Sequence, residues 1–166
     1  MKNLTEKGAP HAPQNQMGLI VIKGQANLGK TTTCWMLSLK LLQQGAIIKE
    51  LRYDFYAGSA IYPIPQAPQN YDFYAEIQWN NKFIVINSHG DTPQPVDDMF
   101  QHVLPMKPDF IICASRSRGY VWNLFESKYT NIYYKRICVW PEYAVHPADT
   151  QLVKEPMVAM IINRMK

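Results

Sequence analysis

Hydrophobic positions change their period several times along this chain. The run Leu19-Ile20-Val21-Ile22 is continuous and largely β-branched, as in a strand buried on both faces. A glycine-bearing loop follows. Cys34, Leu37, Leu41 and Leu42 then recur at helical spacing as far as Gly45, a residue suited to ending a helix. Positions 46–51 return to strand character. Residues 57–70 hold Gly58, Pro63, Pro65 and Pro68, which predicts a loop over one edge of the fold. Phe73, Ala75, Ile77 and Trp79 then share one face of an alternating segment. Asn80-Asn81 reads as a tight turn, and Phe83-Ile84-Val85-Ile86 runs back.

The second half repeats these periods. Val96, Met99, Phe100 and Val103 predict a short helix within 93–104, and 110–114 a further buried strand. Val121, Leu124 and Phe125 suggest a helix, and 132–140 a last strand. Val153, Met157, Met160, Ile161 and Met165 form a final helical pattern interrupted by Pro156. The order is β-α-β, a hairpin, then α-β-α-β. It predicts an α/β layered fold with a mostly parallel sheet and one antiparallel hairpin. Residues 1–16, polar with Pro10 and Pro13, read as a flexible leader, and 17–166 as a single domain.

Composition narrows the class without deciding it. The 166 residues are 47% hydrophobic and 18% charged, an ordinary globular balance for one domain. Apolar runs such as 110–114 fall far short of the roughly 20 residues of a membrane span. Cys34, Cys113 and Cys138 are odd in number and widely spaced, which argues against a disulfide framework and for reduced core thiols. Lys2 and Lys7 precede no apolar targeting segment, so a cytoplasmic location is expected. The net charge of +4 suits a phosphate-rich ligand, a nucleic acid or plain solubility.

One segment carries specific chemistry. Gly24-Gln25-Ala26-Asn27-Leu28-Gly29-Lys30-Thr31 fits G-x-x-x-x-G-K-[ST] at every defined position. A chance match in a chain this long is on the order of one in two hundred. A buried strand before the loop and an amphipathic helix after it complete the context. Glycines let backbone N–H groups curl around phosphates, and the new helix turns its positive end toward them. Lys30 would reach the outer phosphates and Thr31 would place its hydroxyl on Mg²⁺, the nucleotide sitting on Gly24–Thr32.

On this motif the chain resembles the P-loop nucleoside triphosphatase superfamily. The strings at 87–93 and 114–119 resemble elements of its small bacterial members. The resemblance implies a three-layer α/β/α sandwich that binds ATP or GTP with Mg²⁺. It leaves the reaction open.

The remaining chemistry is less regular. The superfamily normally places an acid directly after an apolar strand, to hold Mg²⁺ through water. Here 83–86 is followed by Asn87 and Ser88, and 110–114 by Ser115. Asp109 stands at the wrong end of its strand. Asp91, which Gly90 would let the loop bend inward, is the candidate for the metal or the attacking group. Asp54, after the strand that follows the first helix, is a candidate general base or acceptor ligand. His89 could shuttle a proton. Arg116 and Arg118 follow a strand's C-terminal end, where a guanidinium fork could grip phosphoryl oxygens.

Two functions compete. The leading one is a small Mg·ATP-dependent phosphotransferase of nucleotide- or metabolite-kinase type, with Lys30, Asp54, Asp91, Arg116 and Arg118 as catalytic candidates. The other is a slow nucleotide-dependent ATPase or switch acting on a protein or nucleic-acid partner. The guanine-reading Asn-Lys-x-Asp signature is absent after any predicted strand, and no arginine-rich lid is visible. No membrane role is expected.

Overall fold

The computed structural model describes residues 17–24, 29–53, 65, 67–129, 133–139 and 150–166, with backbone alone for 133–139 and 150–153. The leader at 1–16 lies outside the described residues. Strand β1 (Met17–Lys23) leads through the glycine loop to helix α1 (Lys30–Gln43) and strand β2 (Ile47–Arg52). Strands β3 (Tyr74–Trp79) and β4 (Lys82–Asn87) form the hairpin, followed by helix α2 (Pro93–Val103) and strand β5 (Phe110–Ser115). A short helix α3 (Tyr120–Asn123) runs into a π-helical turn (Leu124–Lys128). Strand β6 (Tyr133–Val139) and helix α4 (Thr150–Met165) complete the described chain. The expected break at Pro156 is a correction in detail, since α4 continues through it.

Local chemistry explains the boundaries. Helix α1 ends at Gly45, whose φ of 87° supplies the left-handed turn. There Gly45 N–H donates to Leu42 O and Ala46 N–H to Leu41 O, each at 3.0 Å, satisfying the last carbonyls. Asn80 and Asn81, with φ of 48° and 59°, make the two-residue turn whose twist suits a hairpin.

The six strands form one sheet in the order β2-β3-β4-β5-β1-β6. Strictly alternating side chains split the core between its faces. Ile20, Ile22, Ile84, Ile86, Ile112 and Ala114 pack with α1 and α4, through Trp35, Leu37, Leu41, Val158, Ile161 and Met165. Leu19, Val21, Val85, Ile111 and Cys113 pack on the other face with Val96, Met99, Phe100 and Phe125.

This arrangement corrects the expected sheet. It is mixed, and it is not a mostly parallel sheet with a single antiparallel hairpin. Strands β2, β3 and β4 form a three-stranded antiparallel meander, while β4, β5, β1 and β6 pair in parallel. The strand after α1 lies at the far edge, with three strands between it and β1. A parallel β2–β3 junction needs a crossover of a dozen or more residues, usually a helix, and the proline-punctuated stretch at 57–70 has no helical pattern. The mostly parallel, P-loop NTPase-like sheet is therefore replaced by a mixed sheet with helices on both faces.

The mixture has a geometric result. Register pairs Arg52 with Tyr74, Tyr74 with Asn87, Asn87 with Cys113, and Cys113 with Val21. The C-terminal ends of β1, β2, β4 and β5 thus share one edge with the N-terminal end of β3. Asp109, at the opposite end of β5, accepts a 2.7 Å hydrogen bond from Phe83 N–H.

Candidate functional site

The shared edge holds a polar cleft of about 330 Å³, lined by Gly29, Lys30, Thr31, Thr32, Asn70, Asp72, Ser88 and Asp91. Its floor is the start of α1. Gly29 caps the helix with φ 78°, and its carbonyl accepts from both Thr33 N–H (2.9 Å) and Thr33 Oγ1 (2.8 Å). No acidic residue stands in the first turn, so the helix's positive end faces the cleft uncompensated from its own turn.

Lys30 is buried, and its Nζ donates to Gly24 O at 3.2 Å, across the loop. Burial pulls its ammonium below the ordinary lysine range. Asp91 opposes that effect, Arg116 adds to it, and Asp72 opposes it. Gly24 is itself anchored, its N–H donating to Ser115 O at 3.1 Å. Gln25, Ala26, Asn27 and Leu28 lie outside the described residues, as does Asp54.

Thr31 has a partner that the sequence reading missed. Its hydroxyl donates to Asp72 Oδ1 at 2.6 Å, and Ser88 Oγ approaches the same oxygen at 3.1 Å. Ser88 Oγ also accepts from Phe73 N–H at 2.8 Å, which fixes the strand end that carries Asp72. His89 Nδ1 lies 3.8 Å from Asp72 Oδ2, while its Nε2 is buried without a hydrogen-bond partner among the described residues. The signal for Asp72 was present: an acid flanks an apolar strand. That strand runs antiparallel, so the acid precedes it instead of following it.

Asp91 reaches the cleft and pairs with Arg116, whose Nε lies 2.8 Å from Asp91 Oδ1. Gly90 makes this possible. A Cβ there would come within 2.3 Å of Ala114 O, and Arg116 N–H donates to Gly90 O at 3.1 Å. Arg118 is exposed and does not line the cleft. The structure therefore gathers Gly29, Lys30, Thr31, Thr32 and Asp91, joins Arg116 through Asp91, and leaves Arg118 apart.

A groove of similar size, about 340 Å³, runs between α1 and α4 beside Met36, Leu39, Leu42 and Val158. Lys40 and Glu155 in its lining lie 3.9 Å apart, so its polar groups serve one another. The convergent chemistry is at the sheet edge. Cys34 and Cys113 are buried free thiols far too protonated for nucleophilic work, since burial pushes both up, Cys113 to about 12. No described helix is long and apolar enough to cross a membrane.

Comparison of the chain with protein-family models, with curated proteins and with solved structures gives no significant match in any of the three.

Proposed function

We propose that the cleft binds a purine nucleoside triphosphate with Mg²⁺, and that the protein transfers the outer phosphoryl group to a small acceptor. The observation that carries the reading is the convergence of Lys30, Thr31 and Asp72 at the start of α1. The donor set fits: a buried ammonium, an uncompensated helix N-terminus and glycine backbone suit phosphates, and a hydroxyl beside a carboxylate suits a hard cation.

In this reading Lys30 leaves the Gly24 carbonyl to hold the outer phosphates. Thr31 and Asp72 hold Mg²⁺, with Asp91 as the second acid in reach. The metal, when bound, neutralises phosphate charge. Arg116 is the cation best placed to meet charge that shifts during transfer, held in position by Asp91. Either ATP or GTP satisfies these groups, since they address only the phosphates.

Calorimetry with ATP and GTP, each with Mg²⁺, tests the binding step. The wild-type chain should bind and Lys30→Ala should lose most of the affinity. Equal binding by both removes the reading. Phosphorylation of a nucleoside and metabolite panel then tests transfer. ATP hydrolysis without any phosphorylated acceptor would replace the phosphotransferase by a nucleotide-driven switch.

A further inference from the structure

Away from the cleft, a bulge in β2 rearranges charge at the edge of the sheet. Ile47 and Ile48 pair with Gln78 and Ile77, whereas Glu50, Leu51 and Arg52 pair with Glu76, Ala75 and Tyr74. Lys49 is therefore the extra residue. An unbroken register would set Lys49 opposite Glu76, a complementary pair. The bulge sets Glu50 there instead, so two carboxylates face each other across the strands. Like charges directly opposed destabilise a sheet, and bulges re-aim side chains next to active sites.

A third group comes from the helix that covers this face. Tyr74 belongs to the core on the α2 side, and Glu76, two residues along the strand, points the same way. His102, in the last turn of α2, brings its Nε2 to 3.6 Å from Glu76 Oε1. One ligand atom each from Glu50, Glu76 and His102 lie within 4.8 Å of one another.

The geometry points to a divalent-cation site of the zinc type at Glu50, Glu76 and His102, joining α2 to the edge strands. Metal–ligand bonds of about 2.0–2.1 Å in a tetrahedron put ligand atoms about 3.3 Å apart. The His102–Glu76 separation is close to that edge. The His102 side chain is 38% exposed, so a small rotation can close the remaining distance. Three protein ligands leave a fourth position to water, as at open zinc sites.

The donors select the metal. An imidazole with two carboxylates suits zinc and its first-row neighbours, whereas Mg²⁺ keeps several waters and favours oxygen ligands. Two carboxylates against the single guanidinium of Arg52 make the cluster net negative with a neutral imidazole, which favours a dication. Both carboxylates also have oriented supports. The Tyr74 hydroxyl donates to Glu76 Oε1 at 2.7 Å, and Arg52 contacts Glu50 Oε1 through Nε and Nη2. Outer partners of this kind hold ligating carboxylates in place, and each carboxylate has a second oxygen to offer. The Tyr74 ring meets the His102 imidazole edge-on, with centroids 6.0 Å apart.

The competing account is a network of ion pairs, Glu50 with Arg52 and Glu76 with a protonated His102. The test titrates Zn²⁺, and separately Mg²⁺, by calorimetry into the chelator-stripped full chain. Wild type should bind Zn²⁺ at least about tenfold more tightly than Mg²⁺. His102→Gln and Glu76→Gln should each lower zinc affinity by about tenfold or more, and His89→Gln should leave it unchanged. Zinc binding that survives both substitutions, or that His89→Gln removes instead, overturns the site. A wild-type chain that takes up no zinc overturns it too, in favour of the ion-pair network. Should Glu76→Gln fail to fold, NMR of the wild-type histidine rings decides. The His102 ring resonances should shift on adding zinc, and unmoved resonances refute the assignment. None of the three ligands lines the cleft, so this site and the nucleotide reading stand or fall separately.

Discussion

Asp72 accepts a 2.6 Å hydrogen bond from the Thr31 hydroxyl, across 41 residues of sequence. The two meet because β3 runs against its neighbours. An antiparallel strand brings its N-terminal flank to the edge where the parallel strands present their C-terminal ends. In the proposed nucleotide site, the acid absent after β4 and β5 would be Asp72, the residue that precedes Phe73.

This relationship predicts a metal-specific defect. Asp72→Asn keeps the shape and an acceptor for Thr31 but removes the charge. Nucleotide affinity in the presence of Mg²⁺ should fall by about tenfold or more, while binding in excess chelator changes little. Parallel titrations with and without Mg²⁺ read the difference. An unchanged Mg²⁺ dependence would take Asp72 out of the metal site.

The two arginines should separate cleanly. Arg116 and Asp91 are 38% and 57% exposed, so their ion pair contributes less than about 1 kcal/mol to stability. Arg116→Ala should therefore melt within a few degrees of wild type. If Arg116 stabilises the transferring group, turnover should nevertheless fall by roughly 10³-fold, with poor rescue by lysine. Arg118→Ala should alter neither quantity. Equal turnover in all three proteins would leave Arg116 as a surface partner of Asp91.

Gly90 offers a steric test of the same corner. The added methyl of Gly90→Ala would meet backbone atoms of Ala114 and Ser115 at 2.3 to 2.8 Å, and backbone does not give way as a side-chain tip does. Urea denaturation should show a loss of about 1–3 kcal/mol, typical of overpacking. Asp91 and Arg116 flank the disturbed contact, so activity should fall further than stability alone explains. Wild-type stability in this variant would contradict the close approach.

Alkaline pH should weaken the fold through buried acids. Burial holds the Cys113 thiol at about 12 and Cys34 well above the usual 9.0, and burial with the Glu76 hydrogen bond pushes the Tyr74 phenol far above 10.0. Above pH 9 the unfolded chain sheds these protons while the folded chain keeps them. Stability is then fully present below pH 9 and is lost as pH rises toward 12, by up to about 1.4 kcal/mol per pH unit per group. Lys30 works with the opposite sign, because its lowered value disfavours folding until its proton leaves, but it stands against Cys34, Cys113 and Tyr74, and Tyr129 is raised as well. Urea midpoints from pH 8 to 11 should decline beyond pH 9, and Cys113→Ala should flatten the slope. A flat wild-type profile would contradict this account.

The elements themselves were legible because their periods are clean. Leu19 and Val21 face one core and Ile20 and Ile22 the other, as a doubly buried strand requires. Asn80-Asn81 announced the hairpin by its chemistry. Strand order was not legible, since β2 borders β3 through pairings that no local pattern encodes. The site divides in the same way. Lys30 and Thr31 were visible because their motif is contiguous, and Asp91 because it follows a strand. Asp72 was absorbed into the apolar alternation around Phe73.

Trp35 leads from this packing to a practical end. Its indole N–H donates to Tyr71 O at 3.0 Å, and its ring lies 3.8 Å, centroid to centroid, from Phe73. One buried indole of α1 is thus fastened to both chain neighbours of Asp72, four residues along from Thr31. A ligand that draws Asp72 toward a cation must disturb the surroundings of this fluorophore. The difference between wild-type emission and that of Trp35→Phe, which keeps the other three tryptophans, should then report ligand entry to the cleft.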